Sequence, residues 1–250
     1  MKTKLALLTG ILLASVAWAQ AGETVVAVAA NFTEPVKEIA EQFKAKTGHT
    51  ATLSFGATGN FYNQIKNGAP FEVFLAADTA RPTKAVEEGY AVKGTEFTYA
   101  IGTLVLWSTK EGLVKGPETL TDTTISHISY CNPDAAPYGK ASVETLDALK
   151  VHDKVKDKLV EGQNISQAYQ FVKTGNAEIG FVALSQIINE KGGSKWIVPQ
   201  DYYNPIRQDA VLLKTGENNE AAKAFIDFLK GPEAATIIKK YGYALPEVKQ

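Results

Sequence analysis

The sequence predicts an α/β fold of mostly parallel sheet, on three observations. β-Rich runs alternate with amphipathic helices. Four strand-to-helix junctions each carry small or neutral polar residues. Two extended stretches, Phe97–Ser108 and Ile206–Lys214, stand outside the alternation. Stretches of that kind can cross between two lobes, which would leave the first lobe discontinuous and the second inserted within it.

Thr24–Ala29 is β-rich and leads into a helix from about Thr33, where Val36, Ile39, Ala40 and Phe43 recur at helical spacing. Thr33 can cap its start, Pro35 suits its first turn and Gly48 closes it. Thr50–Phe55 is a second strand, and the tight loop Gly56-Ala57-Thr58-Gly59 precedes a short helix over Asn60–Asn67. Phe71–Ala77 is a buried strand, after which Asp78 and Pro82 open a helix ending near Gly89. The strand Ile125–Tyr130 passes through the loop Asn132–Pro137 into a helix from about Tyr138 to Lys150. Asn164 is placed to cap a helix carrying Ala168, Phe171 and Val172, and Ile179–Ala183 is the next strand. From Glu217 to Gly242 two helices meet at Gly231-Pro232. Heptads, solenoid-length repeats and Ser/Pro-rich linkers are absent from the sequence.

The N-terminus reads as a secretory leader over residues 1–21. Lys2 and Lys4 precede an apolar run from Leu5 to Trp18, then Ala17-Trp18-Ala19 or Ala19-Gln20-Ala21 as a cleavage site. The run is shorter than the ~20 residues a membrane anchor needs. A soluble, exported product in the periplasm is expected, with no cysteine at the cleavage point to carry a lipid. Of 250 residues, Lys+Arg 26 against Asp+Glu 27 give a net charge of −1, and losing the leader makes it −3. That balance argues against nucleic acid or an anionic membrane as partner. Only Arg81 and Arg207 are arginines, which nearly excludes a cluster of arginine forks. Cys131 is the one cysteine, expected as a small buried residue at a strand end.

Bond-making chemistry has little support. His49, His127 and His152 lack ligand spacing, and G-x-S-x-G, H-E-x-x-H and P-loop motifs are missing. No direct metal site, cofactor or enzyme activity is expected, although an exported hydrolase stays open as a distant alternative. Tyr202-Tyr203 could offer phenolates to ferric iron, but without His or carboxylate partners a packing or hinge role is favoured.

The four junctions are Ala30-Asn31-Phe32-Thr33, Ala57-Thr58-Gly59-Asn60, Ala136-Pro137-Tyr138-Gly139 and Gln163-Asn164-Ile165-Ser166. None contains Lys or Arg; Lys140 lies just outside. A helix's first turn has unpaired N–H groups and partial positive charge, so it receives anions. Hydroxyls and amides add donors without a full charge. Each junction alone reads as an ordinary helix start. Together, in an exported chain without catalytic motifs, they make an anion receptor competitive.

At these residues the sequence resembles the periplasmic molybdate/tungstate-binding proteins that feed ABC importers. The resemblance spans Thr24 to Tyr243. It is carried by Val26–Thr33, Ser54–Gly59, the run Gly68-Ala69-Pro70-Phe71-Glu72-Val73-Phe74-Leu75-Ala76-Ala77-Asp78, and Phe228–Ala235. It implies a two-lobed periplasmic binding protein fold, each lobe a mostly parallel sheet flanked by helices, with the oxyanion in the interlobe cleft. Carried over by position, Asn31 stands where the family has serine, with Ala30 beside it; Thr58 gives the second-loop hydroxyl. Tyr138 and the amide of Ile165 supply the third and fourth loops. Some members carry a further tyrosine where this chain has Ala183, a place the Tyr138 phenol can take.

The expected division is 22–100 plus 206–250 for the first lobe and 101–205 for the second. The expected function is capture of molybdate or tungstate by a monomer that delivers it to an ABC transporter membrane permease. A receptor for sulfate or another oxyanion is the near alternative, ferric-iron binding the more distant one.

Overall fold

The computed structural model describes residues 21–247; positions 1–20 of the expected leader lie outside them. In chain order the elements are β1 (Glu23–Ala29), α1 (Thr33–Thr47), β2 (Thr50–Gly56), α2 (Thr58–Lys66), β3 (Val73–Leu75), α3 (Ala80–Glu87) and β4 (Phe97–Gly102). There follow β5 (Leu104–Ser108), β6 (Ile128–Cys131), α4 (Pro137–Ala148), α5 (His152–Val155), β7 (Leu159–Gly162), α6 (Ile165–Lys173), β8 (Ile179–Ala183) and α7 (Leu184–Ile187). The chain ends with β9 (Ser194–Ile197), β10 (Ile206–Leu212), α8 (Glu220–Lys230) and α9 (Pro232–Lys240).

The strands form two sheets of five, in the orders β2-β1-β3-β10-β4 and β7-β6-β8-β5-β9. Both follow one plan. Three neighbouring strands run parallel, and a reversed fourth pairs antiparallel on both its sides. The sheets are thus mixed, and all four strands that carry the junctions lie in their parallel parts. The reversed strands, β10 and β5, are the ones that follow a passage between sheets. Phe97–Ser108 is one extended stretch broken at Thr103, with β4 in the first sheet and β5 in the second.

Each sheet is covered by apolar helix faces. In the first, Val36, Ile39 and Phe43 of α1 are fully buried, and Phe43 meets Phe225 of α8 edge-on at 5.2 Å. In the second, Leu104, Leu106, Ile128, Ile179 and Phe181 are fully buried between strands and helices. Burial alone is worth roughly 1.5–3 kcal/mol for each such side chain.

Local readings are corrected at two starts. A 3-10 turn, Ala30–Phe32, precedes α1, and the Thr33 hydroxyl donates back to the Ala30 carbonyl at 2.8 Å instead of capping. Helix α2 begins at Thr58, two residues before the polar run suggested, because Ala57 is extended and the turn starts directly after it. Gly48 closes α1 in the left-handed region at φ 77, as a C-terminal glycine should. Cys131 is fully buried at the end of β6, and burial pushes its thiol well above the ordinary range.

Candidate functional site

The site is assembled from two pairs of parallel strands that end level. β1 and β2 stay paired out to Ala29 and Gly56, and β6 and β7 out to Cys131 and Gly162. Each leads to a helical turn: Ala30–Phe32, α2, α4 and α6 respectively. These four starts line one cavity between the sheets, and Ala30, Asn31, Thr58, Tyr138 and Ile165 are all in its wall. The remaining wall is Ala29, Gly56, Ala57, Ala77, Ala136, Pro137 and Asn164, so no charged side chain lines it.

A helix start is normally capped by a side-chain oxygen that accepts an N–H of the second or third residue. Three of these four have alanine there: Ala29, Ala57 and Ala136, with no side-chain cap. Alanine at a cap costs about 1 kcal/mol, and here it leaves the acceptor place vacant at each turn. The fourth cap, Asn164, accepts from Gln167 N–H at 3.1 Å and leaves the N–H of Ile165 untouched. The N–H groups of Asn31, Thr58, Tyr138 and Ile165 have no acceptor among the described residues. Gly139 lets α4 sit on the end of β6, since a Cβ there would collide with the Cys131 carbonyl.

Thr58 adds a donor of another kind. Its Oγ1 accepts Ala77 N–H at 3.0 Å, which fixes the oxygen and leaves the hydroxyl proton to give. Asn31 behaves differently from the expectation of a side-chain donor. Its Nδ2 donates to Gln208 Oε1 at 2.7 Å and to Tyr243 Oη at 2.9 Å, so its backbone N–H is the donor still available. The Tyr138 phenol does not take the place of a tyrosine at Ala183. Gln208 Nε2 donates to its Oη at 3.5 Å, and the hydroxyl lies against Gly102 in the crossover. Burial holds the phenols of Tyr138 and Tyr99 well above their ordinary value and pushes Tyr243 up to about 12, so all three stay neutral. Ala183 is buried and its N–H is taken by Gln186 Oε1 at 2.9 Å.

The lobes touch around this cavity. Gly59 N–H donates to the Ala135 carbonyl at 2.9 Å, Ser185 Oγ to the Asn31 carbonyl at 2.9 Å, and Ser166 Oγ to the Ala30 carbonyl at 3.3 Å. Arg81, packed over Gly59, is ion-paired with Asp78 and donates to the Asp134 carbonyl at 2.7 Å. Its charge therefore belongs to the seam. The cavity admits the centre of a water molecule over about 10 Å³, which for a round space means a radius of about 2.7 Å. That is the size of one small ion.

The other candidates disperse. Tyr203 Oη accepts Leu104 N–H at 3.1 Å in the crossover, while Tyr202 packs near Trp196 with ring centroids 6.1 Å apart. His49 accepts Gly22 N–H and His152 pairs with Asp147, each away from the cavity wall. Among the described residues no group of three His, Cys, Asp or Glu could hold a metal ion, and no helix is long and apolar enough to cross a membrane. Gln208, Tyr243, Tyr99 and Ser185, which stand behind the wall, were not legible. Gln208 and Tyr243 lie 177 and 212 residues from Asn31, and no local pattern announces them.

Comparison with known proteins agrees with this geometry. The family described as bacterial extracellular solute-binding proteins matches residues 24–244. Molybdate-binding protein ModA of Rhodobacter capsulatus is 57% identical over 241 residues, covering 96% of this chain and 94% of that protein. Molybdate-binding protein ModA of Azotobacter vinelandii is 57% identical over 231 residues, covering 91% and 92%. A solved periplasmic molybdate-binding protein of Azotobacter vinelandii superposes with a TM-score of 0.87 at 42% identity, over 90% of this chain and 100% of that one.

Proposed function

The chain belongs to the bacterial extracellular solute-binding proteins, and from that premise we infer that it captures molybdate between its lobes and delivers it to an ABC importer. It is a binding protein and not an enzyme, as its 57% identical relatives are. One observation carries the choice of ligand: helix starts with alanine at the cap converge on a small, uncharged cavity the size of one ion. A dianion is the guest such a shell of vacant donors lacks.

In this reading Asn31, Thr58, Tyr138 and Ile165 give backbone N–H groups, Thr58 adds its hydroxyl, and Ala30 shapes the wall. The first lobe, 22–100 with 206–250, supplies three of these donors and the second, 101–205, two. The ion therefore favours the closed state by its differential contacts. Fixed neutral donors select by size and protonation state. Sulfate is smaller than molybdate and would leave gaps, and the proton of hydrogen phosphate would meet donors only. Tungstate, of similar size and charge, should bind as well. The permease of the importer is the partner that reads the closed lobes, and a monomer in the periplasm suits that task.

Calorimetric titration of the purified protein with molybdate, tungstate, sulfate and phosphate tests the reading. Tight binding of the first two and weak binding of the last two is expected. No heat with molybdate ends it, and tighter binding of sulfate would reassign the ligand.

A further inference from the structure

Behind the cavity wall lies a buried polar cluster with no charge in it: Asn31, Tyr99, Tyr138, Ser185, Gln208 and Tyr243. Gln208 is its centre. It is fully buried and takes no part in the cavity lining. Its Oε1 accepts from Asn31 Nδ2 at 2.7 Å and from Tyr99 Oη at 3.2 Å, while its Nε2 donates to Tyr138 Oη at 3.5 Å.

Asn31 and Tyr138 stand on opposite sides of the cavity, and each brings a vacant backbone N–H to it. Gln208 touches the side chains of both. Two features make room for it. The pairing of β10 with β4 shifts register between Gln208 and Asp209. At Gly102 a Cβ would collide with Tyr138 Oη and lie 2.7 Å from Gln208 Nε2. An amide offers an acceptor to Asn31 and a donor to Tyr138 at once, without a charge beneath the anion. An apolar residue would leave buried polar groups unpaired.

We propose that Gln208 is a positioning residue that ties the two halves of the site together, setting the separation of the Asn31 and Tyr138 N–H groups and hence the size of oxyanion accepted. This rests on the oxyanion reading above, and Gln208 acts through its neighbours without touching the ligand.

The test measures molybdate and sulfate affinity by calorimetry, and molybdate release by stopped flow, on the whole protein and on Gln208→Met, Asn31→Ala and the double variant. Gln208→Met should weaken molybdate about tenfold, mostly through faster release, as expected for one lost buried hydrogen bond. It should also narrow the molybdate-to-sulfate ratio. In the Asn31→Ala background the same change should shift affinity less than about twofold, because coupled residues are not additive. Unchanged affinity and ratio, or an equal loss in both backgrounds, overturns the proposal. Should Gln208→Met fail to fold, Gln208→Asn keeps the amide but shortens its reach; it too should narrow the ratio, and a ratio like the unaltered protein's overturns the idea. An unaltered protein that binds neither anion removes the oxyanion reading itself. Normal binding with indifferent variants removes only the role of Gln208.

Discussion

Two spaces lie side by side between the lobes and share Ala77 and Pro137, yet they are built in opposite ways. The cavity is small, uncharged and lined mostly by buried residues. The groove beside it admits water centres over about 520 Å³ and gathers Arg81, Lys84, Lys140 and Arg207 with Asp78, Asp134 and Glu144. Both arginines of the chain are there. The difference separates two tasks. Charge acts over roughly 10 Å and is screened by salt, so it suits attraction and fastening. Fixed N–H groups act over one hydrogen bond, so they suit recognition. Arg81 fastens, since it is bonded across the seam to Asp134. Arg207 is exposed; among the described residues its guanidinium makes only a long 3.4 Å contact to Thr98 Oγ1, and it is left to attract.

The sharpest way to break the contrast is to put charge inside the cavity. Thr58→Asp sets a carboxylate against a dianion at a buried position and should cut molybdate affinity at least ~1000-fold in calorimetry, given the cost of an unpaired buried charge. Affinity within tenfold of normal would show that the anion sits elsewhere. Thr58→Ala removes only a donor, so a loss of about 1–3 kcal/mol is expected, with Thr58→Ser restoring most of it.

Changes in the groove should be smaller and should separate by kinetics. Arg81→Met cuts a bond across the seam and should speed release about three- to tenfold. Arg207→Ala should slow capture about twofold at ~0.01 M salt and have no effect at ~1 M, where screening is nearly complete. The reverse assignment of release and capture would refute the division of labour.

The smallest effect expected is that of pH. No residue in the cavity wall has a side chain that titrates near neutrality, so between about pH 6 and 9 the melting temperature should hardly change on their account. Above that range the buried phenols decide. The folded pKa of Tyr243 is raised from 10.0 to about 12, and Tyr99 and Tyr138 are also raised, by burial first. The unfolded chain therefore gives up those protons first, and their stabilisation is lost as pH rises from about 10 through 12. A melting temperature that climbs above pH 10 would contradict this.

Several helix boundaries were legible because capping, glycine and proline signals are local: Gly48, Pro137, Asn164 and Gly231-Pro232 all mark true boundaries, while the cap of α1 and the start of α2 were misplaced. The short strands β7 and β9 were not. β7 is half-exposed Leu-Val-Glu-Gly, and its place is set by pairing with β6 more than by its own pattern. The neutral lining could be anticipated from the junction residues, since small side chains there leave backbone groups in charge. The direction of the Asn31 amide could not. It is decided by Gln208 and Tyr243, which only the folded chain brings near.

The position of β10 between β3 and β4 in the first sheet has a consequence for biogenesis. It separates β3 from β4, so two strands made early wait for a third made after the whole second sheet. The segment between Leu104 and Ile197, contiguous in sequence, can collapse while the start of the chain is still unfinished. Half of the cavity wall thus becomes solid only when about the last fifth of the polypeptide has emerged, and a molecule stalled before residue 206 offers no complete site.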